Sequence, residues 1–133
     1  MEKADPESHA AIIEADKISL SKYNGHGSAI AQAYSHMIMP LANPYDQETQ
    51  VIWGIKDFEY RFGRQPEGMW LPETAANADS LEVLARHGIK YTILAPRQAK
   101  AFRKIGDSKW HSVNTHGLDT RRPYLAKLPS GRK

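Results

Sequence analysis

The sequence predicts an α/β protein with a parallel sheet, and two observations support this fold class. Segments with helical and strand-like patterns alternate through the middle of the chain, at residues 46–64, 68–71, 76–88 and 89–95. The connections between these segments are short. Because helices that alternate with strands are typical of βαβ units, the strands are expected to run parallel beneath covering helices.

The first helix is predicted over residues 6–24. Pro6 suits a first helical turn, and Gly25 and Gly27 follow the end of the pattern. Its apolar residues approximate one stripe, which predicts an amphipathic helix: Ile12, Ile13, Ala15, Ile18 and Leu20. The next segment, residues 28–44, is apolar with polar interruptions and fits either a short helix or a strand.

The clearest element is the helix predicted over residues 46–64. Its apolar residues share one helical face, with a further isoleucine widening the stripe: Val51, Ile52, Ile55, Phe58 and Phe62. Gly63 is placed to end this helix. Gly54 lies inside it at a cost of about 1 kcal/mol relative to Ala, which is compatible with close packing there.

Two strands and a second helix follow this one. The run "GMWL" at residues 68–71 predicts a short buried strand that stops at Pro72. In the helix at 76–88, Asn77 can cap the first turn, and three residues share a face: Leu81, Leu84 and Ala85. The run "IKYTILA" at 89–95 is β-branched and aromatic, and is the strongest strand pattern in the chain.

The pattern weakens after this strand. Residues 109–124 are predicted to form a loop, and "YLAKLP" at 124–129 can begin another strand. The tail at 121–133 carries five basic and no acidic residues, and we expect it to be solvated and partly mobile.

Composition places the chain, residues 1–133, in the class of single soluble domains. It is 41% hydrophobic and 25% charged, with a formal charge of +3. There are no cysteines, no apolar run near the roughly 18 residues of a membrane span, and no basic face with a nucleic-acid module. The polar N-terminus lacks the pattern of a signal peptide. We therefore predict a cytoplasmic protein that binds neither nucleic acid nor membrane.

Glu73 is the most interesting polar residue, because it follows the apolar run Met69-Trp70-Leu71 at Pro72 and precedes a helix. In parallel α/β folds, the loops after the strands build the active site, where a carboxylate can serve as nucleophile, acid or base. The alternative is a helix-entry role, since the helix dipole favours acidic residues there. The local pattern alone favours the helix-entry interpretation.

The six histidines do not predict a metal site or a cofactor. No HExxH pair occurs, and His111 and His116 are five residues apart in a loop-like stretch. His36 precedes the apolar run Met37-Ile38-Met39, which can place its ring at the edge of the core. Trp70 is most simply a packing residue, although an aromatic ring near a carboxylate could also stack on a sugar.

The region from "YSHMIMPL" through "WGIKDFEYRFGRQPEGMWLPE" to "HGIKYTILAPRQA" resembles the catalytic region of glycoside hydrolase family 57. The resemblance runs from about residue 26 to residue 132. It implies a fragment of a (β/α)7-type parallel barrel and a retaining enzyme that acts on α-glucan-like saccharides. Glu73 in "WLPE" matches the catalytic nucleophile, and the resemblance assigns His36, Trp70 and His26 to substrate binding.

Retaining chemistry also needs an acid/base group about 5–5.5 Å from the nucleophile. The Asp that serves this role in the family lies in a later motif that this sequence lacks, and its opening His-Gln-Pro strand is also absent. Asp57, Asp107 and Asp119 have no motif around them. We therefore expect a fragment that is inactive alone and that forms homo-oligomers through uncovered barrel surfaces.

Two other protein classes remain open. A metal-dependent polysaccharide deacetylase has a related barrel, but its Asp-Asp pair and His-x-x-x-His ligands do not occur here. A non-catalytic saccharide-binding or assembly module would leave Glu73 with a structural role.

Overall fold

Two short parallel strands and the helices around them form the centre of the protein. The computed structural model describes residues 2–132. The helices and strands follow in chain order: α1 (Pro6–Lys22), β1 (Ala31–Gln32), α2 (Pro44–Phe62), β2 (Met69–Trp70), α3 (Ala78–Arg86), β3 (Ala101–Phe102), β4 (His111–Ser112) and α4 (Val113–His116). Single 3₁₀ turns lie at Met39–Leu41, Pro72–Thr74 and Pro96–Gln98.

The parallel sheet confirms the predicted α/β class at the level of a mixed fold with a small parallel sheet. Ala31 pairs with Met69 and Gln32 with Trp70, and α2 forms the crossover between the two strands. The segment at 28–44 therefore contains a strand. The finer prediction of a barrel fragment stays a prediction.

The strand predicted over residues 89–95 is largely wrong. Only Tyr91 takes part, through a single parallel bridge to Gly68, and Ile93 and Leu94 are exposed. A strand needs a neighbouring backbone along its length to accept and donate hydrogen bonds. Among the described residues, the backbone that pairs with this apolar run is Gly68, just before β2, and it meets the run only at Tyr91.

Helix α2 confirms the central helical prediction. Val51, Ile55 and Phe58 are buried against the sheet, whereas Ile52 is exposed, so the widened stripe was wrong at that residue. Gly63 ends the helix in the left-handed conformation. The close packing predicted at Gly54 is also observed, since α2 approaches the Gln32 carbonyl of β1 there.

Helix α3 also begins as predicted. The Asn77 side chain accepts a hydrogen bond from the Ser80 amide at 2.9 Å, and the Ser80 hydroxyl accepts one from the Asn77 amide at 3.0 Å. This capping box satisfies two amides of the first turn. The buried side of α3 carries Val83 and Leu84, which join the core with buried residues of the other elements: Ala31, Ala33, Met39, Val51, Ile55, Phe58, Met69, Leu71 and Ile89.

Helix α1 forms, but its predicted apolar stripe is wrong. Ile12 and Ile18 are 46% and 57% exposed, and the buried residue of this helix is Asp16. Asp16 is buried because Arg64, just after α2, meets it with two hydrogen bonds of 2.8 Å. A charge partner 48 residues away therefore overrides the apolar pattern in deciding which side of α1 faces the protein.

The C-terminal part of the chain differs most from the sequence prediction. β3 and β4 form an antiparallel hairpin, so residues 109–124 are not a simple loop, and no strand forms at 124–129. Within the predicted basic tail, Leu128 is buried, and Ser130 donates two hydrogen bonds of 2.7 Å to Glu82 on α3. Lys133 lies outside the described residues.

Across residues 2–132, none of the helices combines the length and apolarity that crossing a membrane requires.

Candidate active site

The chain makes a sharp corner directly after β2. Leu71 and Pro72 are buried, and the next residue, Glu73, turns outward with φ 54° and ψ 19°. Thr74 also has φ 54°. Left-handed backbone costs an L-residue roughly 1–2 kcal/mol. Two such residues in succession indicate that the surrounding structure holds the corner in place.

Three hydrogen bonds hold this corner. The Thr74 amide donates to the Leu71 carbonyl at 3.0 Å, and the Ala75 amide donates to the Pro72 carbonyl at 2.9 Å. The Gln98 side chain, in the 3₁₀ turn Pro96–Gln98, donates to the Thr74 carbonyl at 2.7 Å. Non-glycine residues with positive φ are concentrated at functional sites, where such constraints preserve the strain.

The segment after β1 is also constrained. Gln50, buried on α2, accepts a hydrogen bond from the Ser35 amide at 2.7 Å and donates one to the Ser35 hydroxyl at 2.7 Å. The next residue, His36, has φ 54°, and its amide donates to the Ala33 carbonyl at 3.2 Å. A strained, exposed polar residue therefore lies shortly after each of the two parallel strands, His36 after β1 and Glu73 after β2.

These two residues meet. His36 Nε2 lies 3.5 Å from Glu73 Oε1, and the two side chains are 61% and 75% exposed. The separation is longer than a normal N–H···O hydrogen bond, so neither polar group is fully engaged by the other. The site therefore presents a carboxylate and an imidazole to solvent at the carboxyl ends of two neighbouring parallel strands, where α/β enzymes bind their substrates.

The other two residues assigned to substrate binding differ in their position relative to Glu73. Trp70 is half-buried in β2, three residues before Glu73. His26 precedes β1, and its Nδ1 lies 2.8 Å from Glu67 Oε2, at the entry to β2. Since β1 and β2 are parallel, His26 is at the opposite edge of the sheet from His36 and Glu73. The structure does not bring His26 into the candidate site.

Glu67 is the centre of this opposite cluster. The hydrogen bond from Lys90 and, to a smaller extent, the one from His26 lower the pKa of Glu67 to about 2. The carboxylate therefore stays ionised and paired with both side chains. This suits a structural role, in which Glu67 links the segments before β1 and β2, rather than a role as a reacting group.

The aspartates considered as acid/base groups are occupied by local interactions. Asp57 pairs with Arg61 at 2.9 Å on α2. A backbone hydrogen bond from Lys109 lowers the pKa of Asp107, and the Arg121 side chain lowers that of Asp119. A general acid needs a raised pKa, so the last two are poorly suited to that role.

Residues 2–132 bring together no group of three His, Cys, Asp or Glu side chains that could hold a metal ion. The ligand set that a polysaccharide deacetylase would need is thus not assembled by the described part of the chain.

The residues that sequence reasoning missed are the glutamines Gln50 and Gln98, which hold the two strained segments. Gln50 lies outside the quoted family segments and Gln98 lies inside "HGIKYTILAPRQA", but no role was assigned to either, and each acts on a residue at least 15 positions away. Only their burial or their side-chain contacts reveal the role.

Comparison with known families identifies the family to which the chain belongs. The fold and site are those of an α/β protein with its polar site at the carboxyl edge of a parallel sheet. The family model described as glycosyl hydrolase family 57 matches residues 8–129, which is most of the chain. The protein belongs to glycosyl hydrolase family 57 and is therefore a glycosidase-like, carbohydrate-active protein. Neither a curated protein nor a solved structure matches the chain.

Proposed function

We propose that the protein takes part in retaining cleavage or transfer of α-glucan-like saccharides, with Glu73 as the nucleophile. The observation that carries this proposal is the strained, exposed Glu73 beside His36 at the carboxyl edge of the sheet. An exposed carboxylate at the end of a buried strand can reach the anomeric carbon of a bound sugar. His36 lies close enough to donate a hydrogen bond to the sugar and to orient it.

We further propose that the described chain supplies the nucleophile without the acid/base, and does not turn over ordinary saccharides alone. The support is that Asp57, Asp107 and Asp119 are all held by local partners. A glycosidic oxygen is a poor leaving group unless a general acid protonates it. Glu73 alone should then react only with sugars whose leaving group needs no proton.

A trapping experiment tests the nucleophile assignment with a sugar whose leaving group needs no proton. The protein is incubated with 5-fluoro-α-glucosyl fluoride; Glu73 Oε attacks the anomeric carbon, the C–F bond breaks, and fluoride leaves. Mass spectrometry should find a glycosyl ester on the peptide that contains Glu73. Glu73→Gln should abolish labelling, whereas Glu14→Gln, at an exposed position on α1, should preserve it. Absence of labelling, or labelling of another carboxylate, would contradict the nucleophile assignment.

A second candidate function is saccharide binding without chemistry. Tyr34 and Trp53 form an exposed edge-to-face pair with ring centroids 5.5 Å apart, and Tyr34 is two residues from His36. Such a pair offers an aromatic surface for a sugar ring. If maltohexaose binds equally well to the wild type and to Glu73→Ala, and no trapping occurs, this function is favoured.

We also propose that two copies associate through the open sheet edges. Among the described residues, β1 pairs only with β2, and the run that contains Ile93 and Leu94 is unpaired and exposed. Unpaired strand edges template further pairing. Light scattering should show a concentration-dependent dimer that Ile93→Lys weakens, and a monomer at all concentrations would contradict this proposal.

A further inference from the structure

The charge of the protein is divided unequally along the chain. Residues 1–96 contain eight Lys and Arg against thirteen Asp and Glu, whereas residues 97–133 contain ten against two. The modest overall charge of +3 therefore conceals an acidic body and a strongly basic C-terminal third. A local excess of one sign attracts ligands of the other sign.

The pairing of these charges differs in the same way. In the body, most Lys and Arg side chains lie within 4.0 Å of a carboxylate: Lys17, Lys56, Arg61, Arg64, Arg86 and Lys90. We define the basic hairpin as residues 97–112, which contain β3 and β4. Within the described residues 2–132, none of its five Lys and Arg has such a partner: Arg97, Lys100, Arg103, Lys104 and Lys109.

The basic hairpin also exposes apolar surface beside these charges. Trp110 is 61% exposed, and the Arg103 guanidinium lies over its ring at 5.1 Å from the centroid. Ile105, in the turn, is 90% exposed. An exposed indole offers a flat face for the C–H side of a pyranose ring, while the neighbouring cations can meet charged substituents of the same sugar.

The base of the hairpin is tied to the candidate active site. Gln98, within the basic hairpin and three residues before β3, donates the 2.7 Å hydrogen bond to the Thr74 carbonyl, directly after Glu73. The Val113 amide, at the end of β4, donates to the Lys100 carbonyl at 3.1 Å. The base of the basic hairpin is therefore attached to the residue that directly follows Glu73.

We infer that the basic hairpin is a subsite for an anionic oligosaccharide, one whose sugars carry phosphate or carboxylate groups. This inference rests on the proposed function, because the choice of a saccharide over other polyanions depends on the connection to Glu73. The charges select the anionic substituents, and Trp110 contacts the ring. Binding should weaken as salt is added, since exposed charge pairs are screened.

Calorimetric titration of the Glu73→Gln variant tests this subsite without any need for turnover. The probes are maltohexaose, maltohexaose phosphorylated at the 6-hydroxyls, and hexagalacturonate. We expect one or both anionic hexasaccharides to bind at least about tenfold more tightly than neutral maltohexaose, from three or more exposed charge contacts. The two anionic probes distinguish phosphate from carboxylate recognition.

A charge-matched pair of variants locates the binding. Arg103→Gln/Lys104→Gln/Lys109→Gln should remove the anionic preference, and Trp110→Ala should weaken binding of all three sugars. Lys3→Gln/Lys17→Gln/Lys22→Gln removes the same charge from exposed positions in or next to α1 and should retain the preference. The substituted side chains are all exposed, and unchanged thermal unfolding checks that each variant folds.

Several outcomes would overturn the inference. These are equal affinity for neutral and anionic sugars, no saccharide binding, an equal loss in the α1 control, or tighter binding to a single-stranded RNA or to phosphatidylserine vesicles. None of them affects trapping on Glu73, which does not require the hairpin charges. Conversely, a failure of trapping with a retained anionic preference would overturn the nucleophile proposal and leave the subsite intact.

Discussion

Replacing Arg64 with methionine should destabilise the protein strongly. Arg64 Nε and Nη2 donate to the two oxygens of Asp16 at 2.8 Å each, and Nη2 also donates to the Ala29 carbonyl at 3.0 Å. Both side chains are largely buried. This ion pair attaches α1 to the segment that leads into β1, because Asp16 also accepts a hydrogen bond from the Ala29 amide at 2.8 Å.

The magnitude follows from what Arg64→Met leaves behind. Asp16 would remain buried with its charge met only by backbone amides. Removing one partner of a buried ion pair typically costs about 3–5 kcal/mol. Methionine retains part of the apolar stem of Arg64 and loses the guanidinium, which also sits 4.8 Å from the Phe58 ring centroid. The expected loss therefore reports mainly the unpaired charge.

The loss should depend on pH in a definite direction. The hydrogen bond from Arg64 is the main cause that lowers the pKa of Asp16, and burial opposes it. In the wild type, the stabilisation from this lowered pKa is present above the unfolded value of about 3.9 and disappears as pH falls through the folded pKa. In the variant, Asp16 can relieve its charge by taking up a proton, so the difference between the two proteins should shrink between pH 7 and pH 4.

Urea unfolding of both proteins at several pH values measures this difference. The control is Arg61→Met, whose exposed pair with Asp57 spans one helical turn of α2 and should contribute about 0.5 kcal/mol or less. A cost below about 1 kcal/mol for Arg64→Met, equal at all pH values, would refute the assignment of a buried, charge-bearing anchor.

Three further predictions concern the sheet and its two edges. Gly54→Ala should lower the free energy of unfolding by about 1–3 kcal/mol despite the better helix propensity of alanine, because the new Cβ would clash with the Gln32 carbonyl oxygen. A variant that is more stable than the wild type in urea would show that α2 can shift. Glu73→Asn should raise that free energy by roughly 0.5–1 kcal/mol, since asparagine tolerates positive φ, while abolishing trapping; unchanged stability would mean that the corner is not strained. Glu67→Gln should flatten the acid side of the stability profile, because Lys90 and His26 lower the pKa of Glu67 from 4.5 to about 2. Its contribution is present above pH 4.5 and disappears as pH falls toward 2, so an identical acid limb in wild type and variant would argue against this structural role.

The helices that were predicted best are those whose ends are determined by nearby residues. Asn77 caps α3 through the residue three positions later, and Gly63 ends α2 through its own left-handed conformation. Elements that depend on distant partners were predicted less well. The exposed face of α1 follows from the Asp16–Arg64 pair, and the run at 89–95 lacks a partner along most of its length.

The same distinction applies to the candidate site. By itself, the sequence determined the corner at Glu73, because Pro72 stops a buried apolar run, and family membership gave that carboxylate a role to test. Only the tertiary structure decided which histidine accompanies it. The parallel register, Ala31 with Met69, brings His36 within 3.5 Å of Glu73 and leaves His26 at the opposite edge with Glu67. Strand register is a non-local property, set by backbone pairing across the sheet and by the packing of α2 through Gly54 and Gln50, and no local pattern in the chain specifies it.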